Sequence, residues 1–129
     1  MIVADASLVV DFLIMANLRP DIVALVAAQE RMFAPELMEF EVGSVLRKHN
    51  LRGDLPDSRA AQALAEFREL RFELFEARSI AVRAWELRHN LTYYDASYVA
   101  LAELLGLPLY TLDRRLAAST GHAAKVISL

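Results

Sequence analysis

The chain has 129 residues, a net charge of −3, 56% apolar residues and no cysteine. That length supports one domain with a substantial buried core, and the missing cysteines exclude both a disulfide framework and thiol chemistry. The acidic balance excludes a broadly basic nucleic-acid-binding surface. No apolar run reaches the roughly 18 residues of a membrane span, because Asp11 and Asn17 interrupt the first one. No basic stretch precedes Ile2 and Asp5 comes early, so no signal peptide is expected and a cytoplasmic location is the default expectation.

In chain order, Ile2-Val3-Ala4 reads as a short strand ending at Asp5, with Ser7 expected to cap a helix running to about Ile14. Arg19-Pro20-Asp21 opens a second helix, with Ile22, Leu25, Val26 and Gln29 along one side. Met32-Phe33-Ala34 is a second strand closed by Pro35, and Glu36–Leu51 is a helix ending before Gly53. Pro56-Asp57-Ser58 starts a helix to about Leu70, with Ala60, Ala63, Leu64 and Phe67 as its apolar stripe. Phe72–Phe75 reads as a third strand and Ser79–His89 as a helix. A helix from Thr92, a strand Leu109–Leu112, a short helix from Asp113 and a last strand Lys125–Leu129 complete the chain. Strands alternating with one or two helices predict an α/β domain spanning residues 1–129, with a mainly parallel sheet of about five strands covered on both faces.

Four acids stand out against this pattern. Asp5 follows the first strand, and ligands of open α/β sheets gather beyond strand carboxyl ends; a plain turn or cap residue is the competing reading. Glu41 shares a helix face with Leu37, Met38, Ser44 and Val45, where an ionised carboxylate is costly unless something compensates it. Lys48, two turns on, offers an ordinary ion pair as the alternative. Asp95 shares a face with Val99 and Ala102, yet Thr92-x-x-Asp95 also fits a capping box. Asp113 ends a buried strand and equally fits the cap of the helix that follows. Three acids at a strand end or helix start and a fourth facing inward suggest one site.

VADASLVVDFL, APELMEFEVGSVLRK, LTYYDASYVALAELLGLPLYTLDRRLA and the closing KVISL, in this order and spacing, resemble a PIN-domain ribonuclease, most closely the toxin halves of VapBC-type toxin–antitoxin pairs. The likeness covers nearly the whole chain and is most specific in the Asp95–Asp113 block. It implies a parallel sheet with the first strand at its centre. It places the family's acidic positions at Asp5, Glu41, Asp95 and Asp113, with Ser7 and Thr111 as hydroxyls beside the site. Ser44 departs from the asparagine common in the family three residues after the Glu.

The resemblance implies hydrolysis of RNA phosphodiesters supported by Mg²⁺ or Mn²⁺, which suit hard carboxylate oxygens. It also implies a cognate antitoxin, whose Arg would enter the acid cluster, and a homodimer formed through apolar helices. Arg114, Arg115 and Lys48 are candidate phosphate contacts, as are Arg47 and Arg52, and Tyr93 or Tyr94 a candidate base-stacking ring; each arginine is equally readable as a solvated helix face. Tyr98 and Trp85 are assigned to core packing and the three histidines to the surface. With no cation present the clustered charges should repel, a strain that Asp5→Asn would relieve. Two other functions share parts of the pattern. An inactive PIN-like scaffold would have been free to lose the acids, and an Mg²⁺-dependent phosphotransfer or phosphatase domain favours a late Lys where Arg114 stands.

Overall fold

A computed structural model describes residues 1–129. Five strands, β1 (Ile2–Ala4), β2 (Met32–Pro35), β3 (Phe72–Phe75), β4 (Leu109–Thr111) and β5 (Val126–Ser128), form one sheet in the order β3-β2-β1-β4-β5. Every neighbouring pair is parallel, so the expected mainly parallel sheet is wholly parallel. β1 is the central strand.

The apolar runs β1 and β2 are buried along their whole length, as strands covered on both faces must be. Helices α1 (Ala6–Ile14), α2 (Pro20–Ala27), α3 (Leu37–Arg52) and α4 (Asp57–Glu69) carry the chain outward from β1 to β3. α1 packs against the other three and defines one covering layer. The chain then returns through α5 (Ala81–Glu86) and α6 (Tyr93–Leu105), which pack on each other, while α6 lies over β1, β2 and β4. With parallel crossovers of constant hand, reversing direction across the sheet puts this pair on the opposite face. α7 (Arg114–Ala117) links β4 to β5. Leu8, Val9 and Leu13 of α1 meet Val42 and Leu46 of α3 and Val99 and Leu101 of α6 in one core; each such side chain stabilises the fold by roughly 1.5–3 kcal/mol. Gly53 (φ 91°) and Gly106 (φ 63°) end α3 and α6 in the left-handed region that glycine tolerates. No helix is long and apolar enough to cross a membrane.

Local differences from the expected elements have identifiable causes. The helix expected over Ser79–His89 is a 3₁₀ turn, Ala77–Ser79, followed by the six residues of α5. Past Glu86 the amides of Leu87 and Arg88 donate to shorter-range carbonyls, those of Ala84 and Trp85 (both 3.2 Å), tightening the chain out of helix. Ile80, Ala84 and Leu87 take the buried side, so Trp85 faces out with 59% exposure instead of joining the core. There it meets Tyr93 edge-on and carries Arg88 over its ring at 4.7 Å. Ser7 is not the cap of α1; the helix begins directly after the strand, and Asp5 caps it. Leu64, expected in the α4 stripe, lies on its exposed margin.

Candidate active site

The sheet reverses its winding direction between β1 and β4, and in open parallel sheets ligands bind outside strand carboxyl ends at that switch point. Asp5 leaves β1 there with its amide bonded to Tyr110 O (3.1 Å). Its side chain is 8% exposed. Oδ1 accepts from the Ser7 hydroxyl (2.6 Å) and the Leu8 amide (3.2 Å), and Oδ2 accepts from the Thr111 hydroxyl. Both hydroxyls in turn accept from the end of β4: Leu112 N–H donates to Ser7 Oγ (3.0 Å) and Asp113 N–H to Thr111 Oγ1 (2.9 Å). Ser7 and Thr111 therefore relay backbone donors onto one carboxylate.

Glu41 arrives from α3 half-buried, and its Oε1 accepts the Tyr98 hydroxyl at 2.7 Å. Asp95 stands in the first turn of α6, where its amide donates to the Thr92 cap (3.2 Å). The reciprocal bond of a full capping box is not formed. Asp113 lies at the exposed rim, its Oδ1 capping α7 through the Arg115 (2.8 Å) and Leu116 (3.3 Å) amides. The capping alternatives raised by the sequence are thus partly realised at Asp5, Asp95 and Asp113.

Electrostatics ties the acids together. Burial raises the Asp5 carboxyl above its ordinary range, against hydrogen bonds from Ser7, Thr111 and Leu8, and the Asp95 charge adds to the rise. Burial likewise raises Glu41, opposed by Tyr98 and reinforced by Asp5 and Asp95. Asp95 is raised by burial, opposed by Thr92 and reinforced by Asp113. Asp5, Glu41 and Asp95 therefore share one field, and Asp113 joins it through Asp95. Carboxyls raised by burial and by neighbouring carboxylates are a mark of functional sites.

No cation of the protein answers these charges. Lys48 is exposed and forms no ion pair with Glu41. Arg114 and Arg115 are exposed on α7 and unpaired, whereas Arg52 is held by Asp54 at 2.7 Å. His49 bonds Asp54, His122 bonds Ser119 and His89 is exposed, so no imidazole touches the acids. Ser44 is exposed and makes no hydrogen bond to Glu41. The residue sequence reasoning missed is Tyr98. It is buried as expected (2% exposed), but burial and the Glu41, Asp5 and Asp95 charges raise its ionisation, keeping it a donor. Its position one turn after Asp95, on the same helix face, is the signal that could have found it.

The donor set consists of hard oxygens, which fit Mg²⁺ or Mn²⁺ and fit softer ions poorly. No three carboxylates or imidazoles stand close enough to close around one ion by themselves. An open arrangement of this kind suits a cation that keeps several waters and takes only one or two carboxylates directly.

The chain matches the PIN-domain family model over residues 2–120. It belongs to the PIN-domain family. The relatives include ribonuclease VapC9 of Mycobacterium tuberculosis, 38% identical over 123 residues that cover 95% of this chain and 93% of that protein. Two solved structures share the fold. VapC20 of Mycobacterium tuberculosis, described as a sarcin-ricin-loop-cleaving toxin, superposes with a TM-score of 0.71 at 18% identity, over 95% of this chain and 97% of that one. A chain of a toxin–antitoxin complex from Klebsiella pneumoniae superposes with a TM-score of 0.66 at 20% identity, over 99% and 97%.

Proposed function

We propose that this protein is a divalent-metal-dependent endoribonuclease and the toxin of a toxin–antitoxin pair, with Asp5, Glu41, Asp95 and Asp113 as its catalytic and metal-holding residues. The observation that carries the reading is the gathering of Asp5, Glu41 and Asp95, with Asp113 at the rim, about the β1–β4 switch point, where no Lys, Arg or His forms an ion pair with them. Family membership and the 38% identity to a ribonuclease support the RNA phosphodiester as substrate.

When bound, a hard divalent cation supplies positive charge beside the scissile phosphodiester and acidifies water there. The chain's own groups do the rest. Asp5, immobilised by Ser7, Thr111 and the Leu8 amide, provides a fixed oxygen at the floor of the site. Glu41 and Asp95 close in from the two helical layers, and Asp113 offers its uncapped oxygen at the rim. Arg114 and Arg115, unpaired beside Asp113, receive backbone phosphates of the RNA. Lys48 contributes at longer range from the α3 face.

Two protein partners follow. A cognate antitoxin silences the site by placing a cationic side chain among the four acids. A second copy of the chain covers the exposed apolar side chains Phe40 (79% exposed), Val82 (74%) and Trp85 together with a cavity of about 170 Å³ lined by Leu37, Ile80, Ala84 and Tyr94.

The test is cleavage of RNA by the purified, antitoxin-free chain in Mg²⁺ or Mn²⁺ and in chelator, with the new ends mapped. Discrete internal cuts that vanish in chelator are expected. Undiminished cleavage in chelator would overturn the metal requirement, and folded protein that cuts no RNA in either metal would overturn the activity.

A further inference from the structure

We propose that Tyr98 is a positioning residue of the acid centre: its hydroxyl orients the Glu41 carboxylate so that one oxygen is held by the protein and the other faces Asp5 and Asp95. This inference rests on the metal-centre reading above and assigns the residue through which Glu41 takes its place in it.

The geometry is specific. Glu41 and Tyr98 are separated by 57 positions and lie on α3 and α6, helices of opposite covering layers. Their 2.7 Å hydrogen bond joins those layers over the carboxyl ends of the strands. It is the only hydrogen bond Glu41 receives from a side chain, and its Oε2 accepts none. Ser44, the other hydroxyl one turn from Glu41, points to solvent. A flexible glutamate on a helix surface needs such a tether to keep a single rotamer, because fixing it costs rotamer entropy that a lone long side chain does not recover.

A purely structural role explains these facts less well. A buried phenol does need an acceptor, but a backbone carbonyl would satisfy it without holding a half-buried carboxylate within the field of Asp5 and Asp95. Here the phenol is instead aimed at a group whose charge is disfavoured by burial and by Asp5 and Asp95. The arrangement parallels the way Ser7 and Thr111 hold Asp5, so Asp5 and Glu41 are both held by hydroxyls. Groups that orient metal ligands from behind typically change affinity by about 10–100-fold when removed.

Calorimetric titration of the full chain with Mn²⁺ alone tests the assignment, using wild type, Tyr98→Phe, Glu41→Ala and the double variant. Phe keeps the ring and deletes only the hydroxyl. Tyr98→Phe should bind Mn²⁺ about tenfold more weakly, and should add nothing further in the Glu41→Ala background. Circular dichroism and metal-free melting of each variant record any purely structural loss. A Tyr98→Phe protein with wild-type Mn²⁺ affinity, whatever its melting temperature, would overturn the assignment while leaving the centre standing if Glu41→Ala weakens binding. Equal weakening by Tyr98→Phe in both backgrounds would overturn it too, since the hydroxyl would then act without Glu41. Wild-type protein that binds no Mn²⁺, or binding untouched by Glu41→Ala, would overturn the centre and this inference together.

Discussion

The Thr111 hydroxyl donates to Asp5 Oδ2 across two adjacent parallel strands, joining residues 106 positions apart, while the Asp113 amide donates to the same hydroxyl at 2.9 Å. Thr111 and Asp5 are both buried, and no other donor reaches Asp5 Oδ2 if the hydroxyl is removed. Thr111→Val keeps the shape and strands both groups. It should lower stability in urea by about 1–3 kcal/mol and reduce RNA cleavage, while Thr111→Ser should restore most of both. Val tolerated at no cost would mean the relay does not hold Asp5.

Stability of the metal-free protein should depend on pH through the same acids. Asp5, Glu41 and Asp95 all have folded-state pKa values above their ordinary ones. A carboxyl raised in this way penalises the fold only when ionised. The penalty is absent below the unfolded value of about 4 and fully present above the raised folded value, so stability falls as pH rises through that window. Asp21, Asp54 and Glu103 are lowered by Arg19, Arg52 and Arg83 respectively and act with the opposite sign at lower pH. Glu41→Gln isolates the effect more cleanly than Asp5→Asn, because Asp5 also caps α1 and accepts from three donors. The melting temperature of Glu41→Gln minus that of wild type should grow as pH rises above the ordinary glutamate value of about 4.3. A constant difference would show that Glu41 titrates normally.

Arg114 and Arg115 should act on binding before chemistry. Replacing either by Ala should raise KM several-fold with kcat little changed, and should lower the salt slope of RNA binding by about one. An unchanged salt slope would return both to the status of solvated helix residues.

The apolar face around the α5–α6 cavity gives a test of assembly. Val82 is exposed in the single chain, so Val82→Arg should fold normally. Light scattering should find the wild type as a dimer and this variant as a monomer. A monomeric wild type at high concentration would contradict the homodimer.

Much of this was legible in the sequence because period and punctuation agree with the fold. The alternation of short apolar runs with capped amphipathic segments set the parallel sheet. The acids stood where strands end or helices begin. The inward face of Glu41 followed from its spacing to Met38 and Val45. What escaped depended on distance in sequence: nothing local ties Tyr98 to Glu41, and the resemblance set Thr111 beside the site without its bond to Asp5, since those bonds exist only once the strands and layers close. Trp85 shows the converse error. Its size suggested burial, but Ile80, Ala84 and Leu87 already filled that side of a helix too short to turn it inward.

The most direct measurement is RNA cleavage in Mn²⁺ by Asp5→Asn, Glu41→Gln, Asp95→Asn and Asp113→Asn, each checked for folding by circular dichroism. If the four acids form one centre, every variant should lose at least about 100-fold in kcat. Double variants should lose little more than singles, because residues acting as a unit are not additive. Near-wild-type cleavage by a folded Glu41→Gln or Asp95→Asn protein would contradict the shared centre.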